Sequence, residues 1–390
     1  MHSITTFQVL LKGLPRGSFD KLVKQRNADK YCKHFKHWDH LVAMMYAQLT
    51  GASGLRPLET AFNCHSAHHY HLGTQRLRRS TLADANEKRS DAVFHDVASW
   101  LMTKVAGTLR RDTRELLYLL DSTSITLKGR EFDRWTQDSR TSRTQGIKVH
   151  VLLNAQSVAP EWQTFSAANV NDVSMADSIP LMPGAQYVFD KGYCDYNWWH
   201  KIDCAGATFV TRFKRNAAMT VVADNDIAPS AQEQIIADQM VQFTHLSSRR
   251  GGAINRYRTP LRRVVVARPD KDTPLILATN DLHSSATEIA QRYKDRWDIE
   301  LFFKWIKQHL SIKRFLGRSE NAVRIQVLTA LISYLLVVLY QKKHAPKVSL
   351  WDCLCMVTAT LFQRIVSEDS DYRRRRQDQM EVSLRQSSLF

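Results

Sequence analysis

Paired cysteines are missing from this sequence. Its 390 residues hold six cysteines, at 32, 64, 194, 204, 353 and 355, with no C-x-x-C spacing among them. So sparse a set excludes a disulfide scaffold, and a reducing cytoplasm is the expected compartment. The amino terminus does not read as a secretory leader, because "MHSITTFQVLLKGLPRGSF" has one short apolar patch and none of the charged, apolar and cleavage regions in series. Long hydrophobic runs are few. The longest, "VLTALISYLLVVLY" from Val327 to Tyr340, is shorter than the roughly 18 residues of a membrane span and reads as a buried core helix. Acidic charge is scarce as well, since 38 Asp and Glu face 55 Lys and Arg and leave a formal charge of +17. Solubility alone needs a net charge of about 2–8 on a small domain, so this excess favours a polyanionic partner, nucleic acid first.

What is present reads as several segments. An apolar share of 44% suits a packed globular chain, and the length allows two or three domains of roughly 100–200 residues. Residues 1–75 are helical and basic. Phe35, Trp38, Leu41, Val42 and Met45 recur at helical spacing, Lys21, Lys24, Arg26, Lys30, Lys33 and Lys36 crowd the approach, and Gly51, Gly54 and Pro57 end the helix. The His-rich "CHSAHHYH" at 64–71 matches no zinc pattern with separated ligand pairs. A helical connector spans 76–114. From 115 the texture turns to strands: "ELLYLLDSTSITL" (115–127), the alternating "GIKVHVLLN" (146–154) and "WQTFSAANV" (162–170) after a break at Pro160 predict an antiparallel meander on short turns. "AQYVFDKGY", the helix "NWWHKIDCAG" and "ATFVTRFK" complete a mixed sheet with flanking helices by residue 215. Residues 216–283 read as further strands, 284–345 as helices with Ser319 a candidate N-cap, and 346–390 as a last helix and a basic tail containing Arg373 to Arg376.

Three carboxylates and one stripe carry the chemistry. In "QRYKDRWDIELFFKWIKQHL" (291–310), read as one amphipathic helix, Tyr293, Arg296, Glu300 and Lys307 fall within roughly a 60° arc. Trp297 and Leu301 flank the stripe on one side, Ile299 and Phe303 on the other, which predicts a partly buried seam packed against the sheet. Ion pairing within the helix accounts for the stripe equally well. Asp121 follows "LLYLL" and Asp190 follows "QYVF", and carboxylates at strand ends point into the crevice where α/β sheets build sites. A turn or helix cap is the alternative for each. Three converging carboxylates would bind Mg²⁺ or Mn²⁺, and two such ions about 3.5–4 Å apart activate the attacking oxygen and stabilise the leaving one in phosphodiester displacement.

Tyr293-x2-Arg296-x3-Glu300-x6-Lys307 resembles the Y-R-E-K signature of the bacterial insertion-sequence DDE transposases of the IS-four family. "LLDSTSITL" with Asp121 and "FDKGY" with Asp190 are similar to that family's first and second catalytic motifs, and the likeness covers about residues 115–345. The resemblance implies an α/β fold. Its RNase H-like mixed-sheet catalytic core (115–215 and 284–345) carries a β-rich insertion (216–283) and is preceded by a helical N-terminal domain. It further implies that Asp121, Asp190 and Glu300 are the catalytic residues and the ligands of two Mg²⁺ ions, with Mn²⁺ as substitute, and that Tyr293, Arg296 and Lys307 touch DNA phosphates. The implied partners are double-stranded DNA, both element terminal inverted repeats and target, and a second copy in a homodimer, with no membrane. The implied reaction is cleavage at element ends followed by strand transfer. A nuclease or resolvase that cuts without joining, and a non-catalytic DNA-binding descendant, are the other readings. Relatives form a hairpin and flip a base onto an aromatic side chain of the insertion. This sequence departs from that pattern, because no Trp lies between Trp199 and Trp297, which leaves Tyr257 and Phe243 as aromatic candidates.

Overall fold

The computed structural model describes residues 4–109, 116–127, 129–132, 135–136, 145–214, 217–244, 254–269, 271–312 and 314–364. The basic run Arg373 to Arg376 lies outside the described residues. Two compact units divide the chain, 1–85 with 336–390, and 86–335.

The first unit is helical. Along the chain come α1 (Thr6–Leu11), α2 (Arg16–Gln25), α3 (His37–Thr50), α4 (Leu55–Cys64), α5 (His69–Leu72) and α6 (Arg79–Lys88). Every residue of α3 from His37 to Leu49 is buried, the pattern of a helix enclosed on all sides. It ends at Gly51, whose φ of 66° is the left-handed conformation that glycine adopts without a Cβ penalty. The His-rich segment serves packing: His65 stacks on Phe362 at 3.9 Å between ring centroids, and His69 stacks on Phe62 at 4.4 Å.

The second unit is built on one sheet. After α7 (Ala92–Leu109) come β1 (Leu116–Thr126), β2 (Gly146–Asn154), β3 (Ala159–Ala167), β4 (Ala185–Phe189), α8 (Tyr196–Cys204), β5 (Thr208–Arg212), β6 (Met219–Asp224), β7 (Ile235–Phe243), β8 (Leu261–Val266) and β9 (Leu275–Thr279). Then follow α9 (Ala286–Asp295), α10 (Trp297–His309), α11 (Glu320–His344) and, in the helical unit, α12 (Leu350–Ala359). The strand order is β3-β2-β1-β4-β5-β9-β8-β7-β6. β1, β2 and β3 run antiparallel, while β4 and β5 run parallel to β1. That five-stranded mixed core is RNase H-like, as the sequence predicts. β9 joins β5 antiparallel, and β8, β7 and β6 continue the same sheet.

Side chains alternate between the faces of a strand. On one face Tyr118, Leu120, Tyr187, Phe189 and Phe209 form an aromatic core with Trp198 and Trp199 of α8. Ring centroids lie 4.7 Å apart for Phe189 and Trp198 and 5.0 Å for Trp199 and Phe209. On the other, α10 crosses β1 while α9 crosses β4 and β5, over the fully buried Leu119, Val188 and Val210. Tyr334 of α11 joins this side, 5.1 Å from the rings of both Phe302 and Trp305. By length and composition α11 could cross a membrane, but here it is mostly buried within the protein. Ser319 caps its start, its Oγ accepting from Ala322 N at 3.2 Å.

Four details differ from the sequence reading. β3 begins before Pro160 and contains it, because β3 is the outer strand and the register shifts at Leu152/Leu153 opposite, so a missing N–H is tolerated there. The link from β1 to β2, residues 127–145, is too long for a tight hairpin. Residues 291–310 form two helices: Arg296 N and Ile299 N bond to the carbonyls three residues back, each at 3.3 Å, and this tightened turn re-aims α10. Trp297 and Leu301 do not pack. They are 57% and 46% exposed, because the buried arc of α10 is Ile299, Phe302, Phe303 and Ile306 and these two residues project away from it.

Gly146 marks a close approach of β2 to β1. A Cβ there would stand 2.2 Å from the carbonyl oxygen of Ile125. Gly146→Ala is expected to cost about 1–3 kcal/mol through forced strand separation, read as a lowered melting temperature. Gly17→Ala meets nothing within 4 Å in α2 and should leave the melting temperature unchanged or raise it, helix propensity gaining up to about 1 kcal/mol.

Candidate active site

Register places the two aspartates side by side. The last β1–β4 pair is Leu120 with Phe189, so the next residue of each strand is Asp121 or Asp190. Asp190 leaves β4 as expected, but Asp121 is not at a strand end: β1 runs on to Thr126, paired with β2 throughout. What ends at Asp121 is the parallel pairing, and that opens the crevice. Alternation sends Asp121 to the face opposite Leu120, the face crossed by α10.

Arginine holds the carboxylates together. Arg296, at the junction of α9 and α10, donates from Nη1 to Asp121 Oδ2 at 3.2 Å and from Nη2 to Glu300 Oε1 at 2.6 Å. Arg212, the last residue of β5, donates from Nη2 to Asp190 Oδ1. Tyr293 is buried beside them, with the Arg296 guanidinium 5.9 Å from its ring centroid. Lys307 stands apart. It is half-buried at the far end of β1, lining a cleft with Ser124, Thr126, Phe132 and Arg318. Thus Tyr293, Arg296 and Glu300 gather at Asp121 and Asp190, and Lys307 extends the stripe along β1.

The electrostatics follow from burial and these pairs. Desolvation pushes Asp121 up to about 6; the Ser122 N–H and Arg296 oppose the rise, and the charges of Asp190 and Glu300 add to it. Desolvation also acts on Asp190, but the bond from Arg212, the Lys191 N–H and the charge of Arg296 outweigh it and hold that carboxyl below its usual value. Burial raises Tyr293, so its phenol stays protonated, and lowers Lys307. Burial works against the charge of Arg296 too, yet its bond to Glu300 and the carboxylate charges of Asp121 and Glu300 keep it above its usual value.

A second polar network lies behind the aspartates. Asp172 Oδ1 accepts from Ser122 Oγ and from Lys148 Nζ, both at 3.0 Å. His150, fully buried, has Nδ1 2.8 Å from Tyr193 Oη and Nε2 2.7 Å from Ser166 Oγ. Desolvation pushes it down to about 4 against the pull of Asp172, so the ring is neutral at pH 7 and bonds one neighbour as donor and the other as acceptor. These bonds tie β1, β2 and β3 to the turn that follows Asp190. Gly192 in that turn passes close to Asp172, with 3.1 Å between its would-be Cβ and Oδ2. Arg212 and this network are absent from the sequence reading. Their one signal is a polar residue at an inward position of an apolar strand, as His150 is in "KVHVLL".

Of the aromatic candidates of the insertion, one is fully buried and the other partly so. Tyr257 is 1% exposed, and Phe243 packs against Tyr196 at 4.3 Å. Among the described residues no three His, Cys, Asp or Glu side chains are close enough to share one metal ion. Arg296 stands between Asp121 and Glu300. The donor set itself, all carboxylate oxygen with mutually repelling charges, is the kind that hard divalent cations bind.

An RNase H-like sheet with carboxylates gathered where its central parallel strands part defines an enzyme of phosphodiester chemistry. Comparison with known proteins narrows the class: residues 112–336 match the family described as the transposase DDE domain, and the chain belongs to the DDE transposases of bacterial insertion sequences. Residues 2–75 match a domain of unknown function. A Sinorhizobium fredii protein named as a transposase is 39% identical over 285 residues, 73% of this chain and 77% of that one. A Geobacillus stearothermophilus protein named as the transposase of an insertion sequence element is 27% identical, covering 68% of each chain. Among solved structures, a piggyBac transposase synaptic complex with hairpin DNA aligns over 92% of this chain and 80% of its own at 10% identity, with a TM-score of 0.48. The chain is therefore a DNA transposase, an enzyme that cleaves and transfers DNA strands.

The raised Asp121 has a consequence for stability. An acid whose folded pKa lies above its unfolded value favours folding below the unfolded pKa and loses that contribution as pH rises through the folded one. Asp121→Asn should therefore melt higher than the wild type at pH 7, by an amount on the order of 1–3 kcal/mol. The difference should close as pH falls from about 6 towards about 4, read by thermal denaturation without divalent metal.

Proposed function

We propose that Asp121, Asp190 and Glu300 are the acids of the transposase reaction and hold its divalent ions, two of Mg²⁺ or Mn²⁺. Tyr293, Arg296 and Lys307 are the groups that hold DNA phosphates. The observation that carries this reading is the pairing of acids from three distant segments with only two guanidiniums, Asp190 with Arg212 and Asp121 with Arg296 and Glu300. Bound at these carboxylates, the ions supply charge that activates the attacking oxygen and stabilises the leaving one.

The protein's own groups then divide the work. Arg296, which now bonds Asp121 and Glu300, would be the group to grip a phosphate through two parallel N–H bonds where those carboxylates held divalent ions. The protonated Tyr293 donates a hydrogen bond to a neighbouring phosphate oxygen. Lys307, desolvated and with no carboxylate partner among the described residues, fixes the strand farther along β1 as a point charge. Water cuts first at the element end. The 3′-hydroxyl so freed attacks a phosphodiester of the target, and the target's 3′-oxygen leaves. Both steps are phosphoryl transfers without a covalent enzyme intermediate.

Joining two ends requires two active sites, so the working form is a homodimer on double-stranded DNA, terminal inverted repeats and target alike, in the cytoplasm. In the helical unit the exposed Lys21, Lys24, Arg26, Lys30, Lys33 and Lys36 supply phosphate contacts at the terminal repeats.

The test is cleavage and strand transfer on DNA carrying the element's ends, with Mg²⁺ or Mn²⁺. Asp190→Ala should lower both at least about 1,000-fold while the fold survives; wild-type activity in that variant would remove the three-acid assignment. Lys307→Ala should weaken end binding and reduce the slope of log affinity against log salt by about one, with Mn²⁺ binding unchanged. An unchanged slope would take Lys307 off the DNA.

A further inference from the structure

The helix α9 packs on β7 and β8 as well as on β4 and β5, and a buried ion pair joins those two strands. Arg262 of β8 donates from Nε to Asp238 Oδ1 at 2.8 Å and from Nη2 to Asp238 Oδ2 at 2.6 Å. Its remaining nitrogen, Nη1, donates to the Ser284 carbonyl at 2.6 Å. Ser284 directly precedes Ser285, whose Oγ caps α9 by accepting from Glu288 N at 3.2 Å. The same loop is anchored by Asp281, also buried. Its Oδ1 accepts from His283 N and Ser284 N, both at 3.0 Å, and its Oδ2 from Ser284 Oγ at 2.6 Å and Arg292 Nη1 at 2.8 Å. Arg292 lies in the last turn of α9. A continuous chain of bonds therefore runs from β7 through Arg262, Ser284 and Asp281 to the end of α9 that carries Tyr293 and Arg296.

We propose that Arg262, Asp281 and Arg292 are positioning residues of the transposase, which fix the aim of α9 and with it the place of Tyr293 and Arg296 at the DNA phosphate. The inference rests on Tyr293 and Arg296 holding phosphate, and it gives β7 and β8 a part in that grip. Cost points this way. A buried ion pair carries a desolvation penalty, and apolar side chains of similar volume often fill such a place at no loss of stability. What they would not supply is the third bond of Arg262, and that bond is the one that leaves the strand pair for the start of α9. Leverage supplies the need. The ten residues of α9 span about 15 Å, so a tilt of about 10° at the cap moves the Arg296 end by about 2–3 Å. Misplacement by about 1 Å already costs on the order of a hundredfold in rate. The buried face of α9 includes Ile289 and Ala290, and apolar contact is non-directional, so it does not set the tilt. Two polar clamps do, the Ser284 carbonyl on Arg262 before the cap and Arg292 on Asp281 in the last turn.

Binding of the full chain to a duplex carrying an element end, with Ca²⁺ as the divalent ion, tests it. Asp281→Asn keeps the shape of the side chain and removes an acid, which by charge alone would tighten DNA binding. Loss of aim should instead weaken binding about fivefold or more and lower the slope of log affinity against log salt by about one. Arg292→Met should do the same, while Arg292→Lys, which keeps a cation for Asp281, should bind within about twofold of the wild type. In a background of Tyr293→Phe with Arg296→Ala nothing is left to aim, so adding Asp281→Asn should change affinity less than about twofold. Where Asp281→Asn does not melt cooperatively, the pair Asp238→Leu with Arg262→Met, which removes both buried charges together, takes its place with the same loss expected. Tighter or unchanged binding in the folded variants, or an equal loss in the background lacking Tyr293 and Arg296, overturns the positioning role. Wild-type end binding by the Tyr293→Phe, Arg296→Ala double variant overturns the phosphate reading itself, and the inference falls with it.

Discussion

Three carboxylates cannot share a half-buried crevice without positive charge between them, and much of the second unit meets that constraint. Here the charge comes from protein. Arg296 bridges Asp121 and Glu300, and Arg212 covers Asp190. The register of β1 on β4 brings the two aspartates level, the tightened turn at Arg296 points its guanidinium back at β1, and β5 ends at the residue that reaches Asp190. The carboxylate oxygens that these guanidiniums hold are the ones that, on the proposed reading, divalent ions would use.

The second network explains why that register holds. Ser122 adjoins Asp121 and Tyr193 closes the turn after Asp190, and both are tied through Asp172, Lys148 and His150 to β2 and β3. A buried neutral imidazole with a partner on each nitrogen fixes its neighbours in a way that a charged ring could not, since two donors would leave one contact unsatisfied unless both neighbours accepted. The two aspartates are therefore held in place in part through their chain neighbours Ser122 and Tyr193.

Much of this was legible in the sequence, and the remainder has physical causes. Apolar runs that stop at a carboxylate singled out Asp121 and Asp190, which the structure brings level, and the helical stripe singled out Tyr293, Arg296 and Glu300, which it brings beside them, while Lys307 lies farther along β1. The break at Arg296 left no mark, because "YKDRWDIE" contains neither Pro nor Gly and the change is one of hydrogen-bond span alone. Trp297 shows the limit of equating aromatic with buried: its position on the turn decides, and it faces water. Tyr257 is the converse, an insertion tyrosine in the core. Arg212 in "FVTRFK" reads as an ordinary outward residue of an alternating strand, and only the neighbouring strand shows what it reaches.

The continuity of the nine strands has a further consequence. β9 lies against β5, so the backbone N–H and C=O groups along that side of the catalytic sheet are satisfied by the insertion. Excising the segment between β5 and α9 would expose a bare strand edge, a template for pairing with other chains and a route to aggregation. β6 is the outer strand of the insertion, and β9 is the one that covers the edge of β5. The insertion behaves as a shingle on the enzyme rather than a detachable attachment: each strand of it covers the edge of the one before.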